Sequence, residues 1–159
     1  MWSWKNRARV FGPALSISVL IFLFCFCAKP ADKVIRDLLN QMKLEAESGQ
    51  WDEFMSHISR NYKDHNGNTY LTISYMVRNH TKGVTNLSVE LEVMGVSVSE
   101  DRAEAQLKLK ARGEKGGGVH YVVGTGDSAE YPKVSFAKEG LHWKLVRVEG
   151  IRGNEDSPW

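Results

Sequence analysis

The 159-residue sequence has little cysteine, little proline and almost no net charge. Its two cysteines, Cys25 and Cys27, both fall early in the chain, and the rest has none. No disulfide can staple that remainder, so its stability must come from a hydrophobic core. Four prolines are too few for a Pro-rich, low-complexity chain. The 21 Lys and Arg nearly balance 19 Asp and Glu, for a net +2. Lys5, Arg7 and Arg9 precede the first acid, and the other 18 bases face 19 acids. A near-neutral body gives no reason to expect a nucleic-acid partner. Motifs are missing too: there is no P-loop string and no Gly-x-Ser-x-Gly elbow. Histidines at 57, 65, 80, 120 and 142 make neither a His-x-x-x-His nor an HExxH spacing, so neither a zinc site nor a cofactor is expected. What is present, 42% hydrophobic and 25% charged residues, is the composition of one globular domain.

Residues 10–28 form a run of nineteen without a charge, behind the three early bases. A helix of that length, at about 1.5 Å per residue, roughly matches a bilayer core of about 30 Å. The positive-inside rule then puts residues 1–9 in the cytoplasm and residues 29–159 outside. A cleaved signal peptide and a lipidated cysteine are the alternatives. Cleavage after Ala28 would put Phe26 where a small residue is needed, and Phe24 and Phe26 precede the two cysteines. The expectation is therefore a single-pass anchor in a bacterial inner membrane, with residues 29–151 as a periplasmic domain and 152–159 as a loose tail.

Beyond the span, Ile35, Leu38, Leu39, Met42 and Ala46 follow helical spacing, with Gly49 at the stop. Trp51, Phe54, Met55 and Ile58 repeat it in a second short helix. Asn66-Gly67 is a turn signal. Residues 69–81 carry both signals: Thr, Ile, Tyr and Val favour a strand, while Ile73, Met76, Val77 and His80 form a helical face that Asn68 or Thr69 can cap. The second half alternates as sheet. Leu87, Val89, Leu91 and Val93 share a face; the apolar set then changes parity to Met94, Val96 and Val98, so Gly95 predicts a β-bulge and a bent strand. Ala103, Ala105, Leu107, Leu109 and Ala111 oppose a charged face. Val119, Tyr121 and Val123 continue the sheet, and a hairpin closed by Glu139-Gly140 ends it.

Helices first and a curved antiparallel sheet after them, with the strings SGQWDEFMSHIS, YKDHNG, VSVSEDRAEAQLKLKARG and EGLHWKLVRVEG, resemble the NTF2-like (SnoaL-like, cystatin-like) superfamily over residues 31–151. The resemblance implies an α+β cone, with helices on the concave side of the sheet and a pocket between them. It also implies that residues 69–81 are a third helix.

Members of that superfamily include isomerases and dehydratases with a pocket acid or base. The residue types available here are Tyr62, Asp64, His65, Tyr70, Tyr75, His120 and Trp143. Asp64-His65 also reads as a turn that bonds its own backbone. Gly124-x-Gly126-x-x-Ala129 mimics a dinucleotide fingerprint, but Pro132 follows closely and no helical period does, so it reads as a loop. Lys108, Lys110, Arg112 and Lys115 form a basic stretch, read as a solvated face. The inward positions legible in the sheet are Leu, Val and Ala. The expected function is therefore binding of a small apolar ligand or a protein partner without catalysis, with a homodimer left open. A scaffold subunit of a membrane complex is the structural alternative, and an isomerase- or dehydratase-type enzyme the catalytic one.

Overall fold

A computed structural model describes residues 30–151. The basic tail, the apolar run with both cysteines and the C-terminal tail read above lie outside the described residues. Among the described residues no helix is long and apolar enough to cross a membrane.

Helix α1 spans Ala31–Glu47. Ile35, Leu39, Met42 and Ala46 recur on one face and are all buried. Asp32 in the first turn complements the helix dipole. The helix ends where the sequence signals it. Gly49 takes φ 69°, its N–H bonds Ala46 O at 3.1 Å, and Gln50 N–H bonds Glu45 O at 2.8 Å. This is a Schellman cap, which needs the left-handed conformation glycine adopts freely. Helix α2, Trp51–Ser56, follows at once. The β propensity of residues 69–81 is overridden. Helix α3 runs Tyr70–Thr81, and the Thr69 side chain accepts the Thr72 N–H at its start. A capped turn and one apolar face against the domain decide the conformation there.

Five antiparallel strands follow: β1 Thr85–Ser99, β2 Arg102–Lys115, β3 Gly118–Val123, β4 Lys133–Glu139 and β5 His142–Glu149. The order is β1-β2-β4-β5, and β3 pairs the far end of β2. The expected bulge is present: Val93 pairs Leu107 and Gly95 pairs Gln106, leaving Met94 as the extra residue. Met94 is exposed, so only Val96 and Val98 make the inward set beyond the bulge. A second shift, between Ala111 and Arg112 against β3, leaves Val122 unpaired and buried while Val119 is exposed. A third shift lies between Ser135 and Phe136 against β5. Each bulge adds local twist and bend, so the sheet curls around the helices. Leu141 sits in the β4–β5 turn and is exposed.

The main core joins Ile35, Leu39 and Met42 to Ala103, Ala105, Leu107, Phe136 and Leu145. The free edge of β1 is covered by α1, where Arg36 donates to Val93 O at 2.9 Å and Glu47 accepts from Val89 N–H at 2.8 Å. The outer sheet face is charged and carries cross-strand ion pairs. Lys108 faces Glu92 at 3.8 Å and Lys133 faces Glu104 at 2.8 Å. Lys110, opposite Glu90, donates to Gly126 O at 2.7 Å. Of the four bases in the stretch read from the sequence, Lys108 is thus matched by an acid on the neighbouring strand and Lys110 is used in holding the 124–129 loop. The Gly124–Ala129 string is a loop, closed by a Thr125 N–H to Ser128 O bond of 2.8 Å, with no helix behind it.

Candidate functional site

Between the helices and the concave sheet face lies a cavity of about 260 Å³. Helix α1 contributes Leu39, Met42 and Ala46, and α2 contributes Trp51 and Phe54. The two rings meet edge to face, with centroids 6.0 Å apart. Ile73, Met76 and Val77 of α3 close one side. The sheet supplies Leu, Val and Ala side chains from β1, β2 and β3, including Leu91, Leu107 and Val122. These positions arise directly from the helical stripes and the strand alternation. Met76 and Val77 reach the cavity only because residues 69–81 are helical.

Polar groups are confined to a few places in the lining. Asp64 is the one acid among the described lining residues. Its Oδ1 accepts the Asn66 and Asn68 N–H groups, each at 2.9 Å. Its Oδ2 accepts Asn68 Nδ2 at 2.9 Å and the Tyr62 hydroxyl at 3.4 Å. Burial works to raise its pKa, but the bonds from Asn68, Asn66 and Tyr62 outweigh it and hold the carboxyl below its ordinary value. The Tyr62 phenol is driven well above the ordinary tyrosine value, first by burial and then by the Asp64 charge. Asp64 therefore organises the turn between α2 and α3, and Tyr62 stays protonated. A general base needs a free lone pair and a pKa near the working pH, and this carboxylate has neither.

The seven residues singled out from the sequence are not gathered in one place. Tyr62 and Asp64 line the cavity together. Tyr70 packs on the core edge, where the Arg60 guanidinium stacks 4.1 Å from its ring centroid. Trp143 packs on the same core from β5 without lining the cavity. Tyr75 points outward and is exposed. His120 stands on β3 near His80 of α3. There burial, with His120 and Lys115 adding positive charge, lowers the His80 pKa. His65, an exposed residue, is at the cavity rim.

A buried acid was not singled out from the sequence. Glu45 of α1 is buried, and its Oε1 accepts from Gln41 Nε2 at 2.8 Å. His57 Nε2 lies 3.1 Å from Oε1 and 3.0 Å from Oε2, which takes no aligned hydrogen bond among the described residues. This group ties α1 to the end of α2 and lies outside the cavity lining. The available signal was an acid at helical spacing from Met42, on the buried stripe.

No protein-family model matches the chain, and no curated protein matches it. Solved structures do. An NTF2-like protein with a cystatin-like fold from Novosphingobium aromaticivorans aligns at TM-score 0.56 and 15% identity, over 94% of this chain and 96% of that one. The fold is NTF2-like. A scytalone dehydratase-like protein from the same organism aligns with this chain at TM-score 0.60 and 11% identity, over 84% and 85% of the two chains. Bd1075 of Bdellovibrio bacteriovorus aligns at TM-score 0.60 and 12% identity over 77% of this chain. The chain spans only 41% of that protein's length. At these identities the likeness concerns the fold alone.

Proposed function

We propose that the NTF2-like domain binds a small apolar molecule in this cavity and does not transform it. The supporting observation is the cavity itself: a lining dominated by aliphatic and aromatic side chains, with its one described acid spent on a turn. A cavity of about 150 Å³ admits a benzene, so 260 Å³ suits a ligand of roughly ten non-hydrogen atoms. The dehydratase-like neighbour raises the catalytic alternative, which needs an available acid or base; Asp64 is committed to its turn, and the histidine of the lining, His65, is an exposed residue at the rim rather than inside the cone.

Naphthalene is a probe of the right size. Titrated into the full chain, it is expected to shift the methyl NMR signals of Ile73, Leu107 and Leu109 saturably. Ile73→Trp, which puts an indole into the space, is expected to abolish the shifts. Their absence in the unmodified protein would overturn the proposal. Conversion of a bound compound that Asp64→Asn abolishes would overturn its non-catalytic half.

The reading extends to location. The uncharged run 10–28 behind Lys5, Arg7 and Arg9 supports a membrane anchor, with the domain on the extracytoplasmic side. The full chain is then expected to stay with membranes through an alkaline wash and to be released when residues 1–28 are deleted. A mature chain beginning near residue 28 would show cleavage instead.

A further inference from the structure

The lining carries one Lys or Arg among the described residues, Lys43 of α1. It follows Met42, which is buried, and is itself half-buried. Lys43 also borders a shallow polar groove outside the cone, shared with Glu47, Glu90, Glu92 and Lys108. A residue belonging to both stands where the cavity meets the surface. A lysine there lays its aliphatic stem along apolar neighbours and keeps its ammonium toward water.

That ammonium is loosely held. Its Nζ lies 3.9 Å from Glu47 Oε1, beyond hydrogen-bond distance. The same oxygen already accepts the Val89 N–H at 2.8 Å. The other acids of the groove have their own cations: Glu92 faces Lys108 at 3.8 Å, and Glu90 stands opposite Lys110 in the strand register. Asp64, the acid of the lining, is saturated by its own turn. The cavity therefore combines an apolar body with one cation at its rim, whose own ion pair with Glu47 is long at 3.9 Å and half-exposed, and so weak.

We infer that the ligand is a small amphipathic carboxylate whose apolar body fills the cone and whose head meets Lys43 Nζ. This rests on the ligand-binding reading above and adds the class of ligand. A charge-assisted bond at a half-buried rim orients the molecule head-outward, and the apolar lining supplies most of the affinity. Sodium chloride weakens the head-group preference without touching the apolar part.

The test compares three probes of one chain length on the full protein: nonanoate, the matching alcohol and the matching primary amine. Methyl shifts of Ile73 and Met76 give the readout, so probe dissolved elsewhere goes uncounted, and dialysis gives the free concentration. Nonanoate is expected to bind roughly 5-fold more tightly than the alcohol, the scale of about 1 kcal/mol for a partly exposed ion pair. Lys43→Met keeps the stem and is expected to remove that preference, leaving alcohol binding in place. Lys43→Glu is expected to turn the preference toward the amine. If carboxylate and alcohol bind equally to the unmodified protein, or the preference survives in Lys43→Met, the head-group inference is overturned while the apolar cavity stands. If none of the probes shifts a methyl signal, both readings fall.

Discussion

Helices α1 and α3 flank the same cavity with the same kind of apolar stripe, yet they are held very differently. Helix α1 buries Ile35, Leu39, Met42, Glu45 and Ala46; α3 buries no residue. Helix α1 is closed by a Schellman cap, bonded to the β1 edge through Arg36 and Glu47, and tied to α2 through Glu45 and His57. Helix α3 is fastened by an Arg78–Asp52 pair whose side chains are 59% and 86% exposed, and by Tyr70 beneath Arg60. Its inner face of Ile73, Met76 and Val77 lines the cavity, while Leu71 and Tyr75 stay 75% and 67% exposed outside. An amphipathic pattern thus fixes which face turns inward. It does not fix how much that face buries, because what lies opposite can be packed side chain or open space.

The contrast can be broken by mutation. Ile35→Ala should cost about 3 kcal/mol of unfolding free energy in urea, because it opens a cavity in packed core. Ile73→Ala should cost about 1 kcal/mol or less, because its side chain already borders a void. Equal costs would show that α3 is packed as tightly as α1. Removing the tie at Glu45 should come next. Glu45→Ala should cost about 2 kcal/mol, since Gln41 and His57 lose a buried acceptor. Arg78→Ala on α3 should cost roughly 0.5 kcal/mol or less, because water screens an exposed pair.

Amide exchange sharpens the same point without mutation. The α3 amides are expected to exchange through local opening well before those of α1, which should follow global unfolding. Bound nonanoate should slow α3 more than α1. Uniform protection across both helices would contradict the comparison.

Acid titration gives smaller effects. The Asp64 pKa is lowered below 3.8 in the fold, so the unfolded chain binds more protons than the folded one as pH drops. The stabilisation is present above 3.8 and is lost as pH falls through the folded value. Asp64→Asn should flatten this acid limb of the urea midpoint. His80, at the end of α3, has its pKa lowered below 6.5. The unfolded chain therefore takes up the proton first, and stability should dip slightly as pH falls below 6.5. His80→Gln should remove that dip.

Much of the fold was legible because it is written in short-range periodicity. The stripe ending at Gly49, the parity change at Gly95 and the alternation from Ala103 to Ala111 each need only neighbouring residues to be read. The ambiguity at residues 69–81 came from β-branched and aromatic residues set at helical spacing, and the Thr69 cap with a partner surface resolved it. Other features were not legible locally. Val122 reaches the core through a bulge set by pairing with β2, although the alternation around it pointed to Val119, Tyr121 and Val123. Of the site candidates, only Tyr62, Asp64 and the adjacent His65 reached the cavity lining, because a tyrosine or histidine looks the same in sequence whether its strand or helix face turns in or out.

By itself the sequence determined the first two helices, the strand pattern of the second half with the apolar faces of β1 and β2, and a domain body near neutrality that must hold together without disulfides. Tertiary structure decided that Glu45 would be buried beside His57, that Asp64 would be consumed by its own turn, and that α3 would stand over a cavity with Lys43 at its rim. Local spacing specifies which way a side chain faces on its own element. What it faces is set by residues tens of positions away, and only the packed fold brings them together.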